Sequence, residues 1–373
     1  NLIDLDLNSV PDICKAPFIF RDGPFNDQCE YIPPTGVFSP ELEWAWPPST
    51  GISVEPDLDQ VMMSPMVTNL DDDNNDGKID HLDTPEVIFI SFDVSLKPGL
   101  DATNPYNYWL GYGVLRAVHG YDGSELWSTD GASATKVDGA SSIAVGDIDG
   151  DNIPEIVAVR YTGGPIVFRN DGTVLWSCSD FGNCAPDSLN WGGPSLADLN
   201  HDGKSEIILG NYVYHHNGSL WWNASTVYGS GDNGVGPLSI SADVNMDGTP
   251  DIVTGNTVYN YNGTMQWYDP SYDDGFPAVG NFDLDDYPEI VVSSNGYLRL
   301  MEHDGSFIWE ELLPGGGHGG APTIADFDGD GESEIGVVGV TQYSVFEGNG
   351  TLLWSAPIQE FSSSRTGSSV FDF

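Results

Sequence analysis

The stretch ADFDGDGESEIGVVG, residues 325–339, sets Asp326, Asp328, Asp330 and Glu334 within nine positions and then runs into an apolar, strand-like segment. Carboxylates this close repel one another and raise one another's pKa. A cation among them removes the conflict. In a DxDxDG turn, side chains one, three and five face a common centre, position seven adds a carbonyl, and position nine returns an acid from the next strand. Ca²⁺ takes about six to eight such oxygens at roughly 2.3–2.6 Å. A single copy would read as an ordinary Asp-Gly turn, but this one recurs as GDIDGDNIPEI (146–156), ADLNHDGKSEI (197–207), ADVNMDGTPDI (242–252) and GNFDLDDYPEI (280–290). An expanded form, NLDDDNNDGKIDHLDTPEV, occupies 69–87.

A second motif alternates with the first: YDGSELW ending at Trp127, NDGTVLW at Trp176, HNGSLWW at Trp222, YNGTMQW at Trp267, HDGSFIW at Trp309 and GNGTLLW at Trp354. Both series repeat about every 45 residues, the period of a four-stranded propeller blade. In the last repeat APTIADF reads as strand one, EIGVVGV as strand two, YSVFEG as strand three and TLLWSA as strand four. The Asp-rich loop joins strands one and two, and Asn349-Gly350 supplies the tight hairpin between three and four. Such units leave their faces bare unless neighbours stack on them, so the expectation is an all-β, closed β-propeller.

Composition narrows the partners. With 57 acidic residues against 11 Lys plus Arg and a formal charge of -46, the chain lacks the basic surface that nucleic acid or anionic lipid requires. Cations are its natural partners. Hydrophobic content of 39% supports a core and excludes acidic disorder. No run is long enough for a transmembrane helix, and the start at Asn1, without Met or an apolar leader, reads as a mature or excised chain. Cys14 with Cys29, and Cys178 with Cys184, are spaced for two local disulfides and hence an oxidising, extracellular compartment. A zinc site would want a CxxC pair or a nearby His, and neither pair has one.

The repeated GDIDGDNIPEI and ADFDGDGESEI stretches resemble the FG-GAP or VCBS-type repeats of integrin-α-like propellers and of secreted bacterial proteins, over roughly 37–373. The resemblance implies a seven-bladed propeller with about five or six Ca²⁺ sites in its one-to-two loops, and a role in adhesion, matrix or carbohydrate binding. It leaves residues 1–36 as an N-terminal extension. The ligands it implies are Asp147, Asp149, Asp151 and Glu155; Asp198, Asn200, Asp202 and Glu206; Asp243, Asn245, Asp247 and Asp251; Asn281, Asp283, Asp285 and Glu289; and Asp326, Asp328, Asp330 and Glu334. Asn281 lowers the charge of its loop, and Asp286 stands where a Gly usually eases the turn. Two sets stay open for the first loop. One is Asn69, Asp71, Asp73 and Glu86 in the repeat register; the other is Asp72, Asn74 and Asp76 with Asp83, spaced like an EF-hand loop but without its helices.

The long segments 93–113, 177–193, 223–236 and 310–320 fall at the opposite end of the blades. There Tyr106, Tyr108, Trp109, Trp191, Tyr228, Tyr272 and His318 either cover the blade tops or form a platform for a sugar or peptide. The repeated Trp residues read as packing between blades, although DGTVLW also resembles quinoprotein repeats. His215 and His216 are adjacent on a strand and point to opposite faces. The sequons at Asn217, Asn223, Asn262 and Asn349 are mostly hairpin turns and do not by themselves imply glycosylation.

Two functions are compatible with this reading: a non-catalytic extracellular binding, adhesion or assembly module, and a polysaccharide-active, lyase-like enzyme. The second should gather basic residues around a Tyr or His base, yet Arg116, Arg160, Arg169 and Arg299 share no motif. The chain ends carry one more expectation. GSSVFDF (367–373) aligns with APTIADF, placing Asp372 at the position of Asp326, and VFSPELEWAW (37–46) resembles a strand four with Trp44 at the position of Trp354. Six full blades then lie between parts of a seventh, whose strands two and three would come from sequence beyond Phe373 or from a neighbouring chain.

Overall fold

Every four-stranded repeat read from the sequence forms an antiparallel sheet, in the order one-two-three-four. The computed structural model describes residues 41–48, 52–93, 111–132, 134–182, 184, 192–224, 228–283, 285–360 and 365–370. All strands belong to the unit Glu43–Val370. In the last sheet they are Thr323–Ala325, Glu334–Val338, Gln342–Phe346 and Leu352–Pro357. Among the described residues there are six such sheets, and the single helical element is a short 3₁₀ turn, Cys178–Asp180. No described helix is long and apolar enough to cross a membrane. The first sheet adds two short strands to its four: Gln60–Val61 pairs with Glu86–Phe92, and Val137–Asp138 pairs with Tyr112–His119.

Burial explains the composition of each strand. Second strands such as Glu155–Val159 and Glu334–Val338 are buried along their whole length, which is why they read as unbroken β-branched runs. Fourth strands are far more open. The core is divided among pairs of adjacent sheets: Ile88, Ile90 and Leu115 pack on Ile156, Ile166 and Phe168, while Val291, Leu298 and Leu300 of the fifth sheet pack on Ile335, Val337 and Phe346 of the sixth. Successive sheets also touch through their innermost strands. Sheets stacked face to face in chain order are the arrangement of a β-propeller.

The repeated tryptophans join each sheet to the next. The indole nitrogens of Trp127, Trp176, Trp222, Trp267 and Trp309 donate to the carbonyls of Asn170, His216, Tyr261, His303 and Gly348 in the following sheet, at 2.8–2.9 Å. Each ring lies flat on the hairpin glycine there. A Cβ added to Gly172, which already has φ +78°, would stand 2.7 Å from the Trp127 ring. A register shift recurs between strands three and four in all six sheets beside this Trp, a bulge that re-aims the side chain.

The chain ends depart from the expected strands. Neither 41–46 nor 367–370 carries a ladder to a described strand. The segment 1–36, with Cys14 and Cys29, and the residues Tyr106, Tyr108, Trp109, Trp191 and Asp372 lie outside the described residues. Cys178 and Cys184 are joined in a disulfide.

Candidate metal centres

Each one-to-two loop is wound by its own carboxylates. Asp198 accepts the amides of Asp202 and Gly203 at 3.0 and 2.9 Å, and Asn200 accepts that of Asp202 at 2.9 Å. Asp147, Asp243 and Asp326 do the same in their loops. Loop five differs, because Asn281 donates to the Asp285 carbonyl at 3.0 Å where the others have an accepting Asp.

The ninth-position acid ties the loop to the sheet. In all six loops one of its oxygens accepts the amide of the loop's second residue: Leu70 to Glu86, Ile148 to Glu155, Leu199 to Glu206, Val244 to Asp251, Phe282 to Glu289 and Phe327 to Glu334, at 2.6–3.3 Å. That bond fixes where the other oxygen points. In Glu86, Glu289 and Glu334 this second oxygen is buried with no hydrogen-bond partner. Leaving a buried acceptor unmatched is costly, so each of these oxygens is suited to a cation.

The loops then divide. Ligand-type atoms within 4.8 Å of one another are found in four groups among the described residues: Asp71, Glu86 and His119; Asp147, Asp149 and Glu155; Asp283, Asp285 and Glu289; and Asp326, Asp328, Asp330 and Glu334. In loop three the second oxygen of Glu206 is instead taken by Asn200 and by His215 Nδ1, both at 3.1 Å. In loop four Gln266 donates to Asp251 Oδ1 at 2.6 Å. The expected ligand sets Asp198, Asn200, Asp202, Glu206 and Asp243, Asn245, Asp247, Asp251 therefore have their ninth acid already partnered. Asp151 is turned to the amide of Ile153 at 2.7 Å and stands outside its group.

Both candidate sets of the first loop exist, as separate turns. Asp72, Asn74 and Asp76 repeat the winding of loop three, with Asp76 and Gly77 amides held by Asp72 at 2.9 and 2.8 Å. Asp83 closes that turn by accepting the amides of Asn74 and Asp80. Asn69, Asp71 and Glu86 stay with the sheet, while Asp73 turns away to the Thr84 amide at 3.3 Å. His119, which the sequence reading missed, joins Asp71 and Glu86.

All six ninth-position acids titrate above their ordinary range. Burial is the main cause, and neighbouring loop aspartates add to it. Glu155 is pushed up to about 7 and Asp251 to about 6. A cation beside these carboxylates would oppose that shift.

The aromatic candidates at the other end have individual structural partners. Tyr228 packs edge-on to Tyr268 at 5.1 Å, and Tyr272 lies between Phe307 and the Arg299 guanidinium, the latter at 3.9 Å. The His318 carbonyl accepts from Asn233, and its imidazole is held below the ordinary range by burial and by Arg365. His215 faces Glu206, whereas the His216 ring faces Lys204 at 3.4 Å.

Two stretches, 147–209 and 281–337, match the model of the FG-GAP-like repeat. The chain thus carries FG-GAP-like repeats in these two stretches, within sheets arranged as in a propeller. Solved structures of similar fold include the V. cholerae biofilm matrix protein Bap1, at TM-score 0.61 and 24% identity over 88% of this chain and 64% of that one. Others are rhamnogalacturonan lyase YesW, at 0.51 and 19% over 83% and 57%, and the Bacillus licheniformis rhamnogalacturonan lyase PL11, at 0.53 and 20% over 83% and 56%. The chain thus spans less than two thirds of the length of each. No curated protein sequence matches it.

Proposed function

We propose that this chain is an extracellular, calcium-stabilised β-propeller that binds or assembles on a glycan or protein without catalysing a reaction. The state of its basic side chains carries the choice against a lyase. Arg116 is fully buried, bonded to Ser91, Ser128 and the Glu55 carbonyl, with Glu125 at 3.9 Å. Arg299 pairs with Glu310 at 2.9 Å beneath Tyr272. Arg160 lies on the Cys178–Cys184 disulfide, and Arg169 donates to the Val174 carbonyl. An enzyme that abstracts a proton beside a uronate carboxylate needs such groups free to neutralise it. The fold shared with a biofilm matrix protein fits a binding role, the fold shared with rhamnogalacturonan lyases makes the enzyme the second reading, and the disulfide fits an oxidising compartment. Incubation with a panel of polyuronates and rhamnogalacturonan, with Ca²⁺ present, should leave no ultraviolet absorbance from unsaturated products. Reproducible turnover there would replace this reading with the enzymatic one.

The same reading includes a seventh blade, with residues 43–46 as its outermost and 367–370 as its innermost segment. Trp44 supports this, because its indole donates to the Gly120 carbonyl at 2.8 Å and lies on Gly123, as each repeat Trp lies on the next sheet's glycine. Thr323 bonds the Ser368 carbonyl at 3.1 Å, as Ser195 bonds that of Ser239 between neighbouring innermost strands. Trp44→Ala should lower the melting temperature about as much as Trp222→Ala, each costing on the order of 2–4 kcal/mol. A harmless Trp44→Ala beside a damaging Trp222→Ala would remove Trp44 from any blade.

A further inference from the structure

We propose that the sheet-anchored half of the first loop is a mixed carboxylate–imidazole site, formed by Asp71, Glu86, His119 and the Asn69 carbonyl oxygen, that takes a borderline divalent transition metal, with zinc as the test ion, in preference to calcium. Sheet register brings the pieces together: Glu86 and His119 are directly paired partners on neighbouring strands. Glu86 is held by the Leu70 amide through one oxygen, and the His119 amide is fixed by the Ser124 carbonyl. Asn69 donates its amide nitrogen to the Asp80 carbonyl, leaving its oxygen buried and without a partner.

Asp71, Glu86 and His119 each bring a ligand atom within 4.8 Å of the others, and Asn69 Oδ1, Asp71 Oδ1, Glu86 Oε1 and His119 Nδ1 are all buried without hydrogen-bond partners. Glu86 is fully buried, so its oxygen is shielded from bulk water. The His119 and Glu86 atoms stand 3.4 Å apart, close enough for an ion pair should the imidazole be protonated, but not aligned as a hydrogen bond. Two ligands each about 2.0–2.1 Å from a tetrahedral ion are separated by roughly 3.3 Å, so the observed spacing leaves room for one metal between them.

Loop three provides an internal comparison. There the equivalent pair, His215 and Glu206, closes to 3.1 Å as a hydrogen bond, and Asn200 takes up the same Glu206 oxygen. That pair is complete by itself, whereas the pair in loop one is not. Other loops place Arg169, Asn260, Glu302 or Glu347 at the end of strand three, so an imidazole beside an unmatched Glu is particular to the first loop. Calcium takes hard oxygen ligands, and an imidazole nitrogen with two carboxylates suits zinc better.

The test uses the full chain, stripped with chelator and dialysed against trace Zn²⁺ in millimolar Ca²⁺. We expect one zinc retained per chain after buffer exchange, and at least tenfold weaker retention in His119→Gln at unchanged calcium content. His215→Gln should retain zinc as the parent does. Co²⁺ added to the unmutated chain should give the visible d–d bands of a low-coordinate site with nitrogen ligation, a readout that survives if His119→Gln does not fold. No retained zinc, equal retention in His119→Gln, loss in His215→Gln, or a Co²⁺ spectrum of the hexa-aqua type would each overturn the site.

Discussion

Excess EGTA should lower the melting temperature of this protein by on the order of 10–20 °C, and added Ca²⁺ should restore it. Each ion that binds the folded chain alone stabilises it by RT ln(1 + [L]/Kd), about 2.7 kcal/mol at a hundredfold excess over Kd. Three loops gather carboxylate oxygens for such an ion, so their combined loss is large against the few degrees per kcal/mol expected of a domain this size. The effect should reside in the loops around Glu155, Glu289 and Glu334. Loops three and four, where His215 and Gln266 already satisfy the ninth acid, should contribute least. Mg²⁺ should restore little, since it demands a tight octahedron and gives up its waters reluctantly. An unchanged melting curve in EGTA, with no calcium found by metal analysis, would overturn the calcium reading.

The cation-free protein should also respond to pH where the loaded one does not. Glu155 has its folded pKa raised from an ordinary 4.5 to about 7, and Asp251 from 3.8 to about 6. Between those limits the folded chain binds more protons than the unfolded one, so stability falls as pH rises. The loss begins near the unfolded values and is complete above the folded ones, and for Glu155 alone it amounts to on the order of 3 kcal/mol. Calcium displaces the proton, so in its presence the fall between about pH 5 and 7.5 should vanish. The hairpin acids Asp171 and Asp304 act the other way. Their side-chain bonds to Thr173 and Ser306 hold them below the ordinary range, and protonating them removes stability in acid, below about pH 4. Melting temperatures in EGTA that do not decline between pH 5 and 7.5 would show that the raised acids do not govern the ion-free state.

Much of this was legible in the chain itself. A 45-residue period, Asn-Gly and Asp-Gly hairpins and β-branched runs determine four-stranded sheets that must stack, because each leaves both faces apolar. The offsets in DxDxDG determine which carboxylates turn inward, since a turn of that length is closed by its own backbone amides. The sequence also carried the Trp at the end of every repeat, though not the glycine it rests on in the next sheet.

What only the tertiary structure decided is which loops are finished without an ion. The deciding residues, His119, His215 and Gln266, lie 33, 9 and 15 positions after the acids they meet, Glu86, Glu206 and Asp251. No local pattern links positions so variably spaced. Antiparallel register sets Glu86 opposite His119, and the length of the hairpin between them is free to vary without changing that pairing. A motif read along the chain sees the acids of a loop, while the neighbouring strand supplies the group that completes or opens the site.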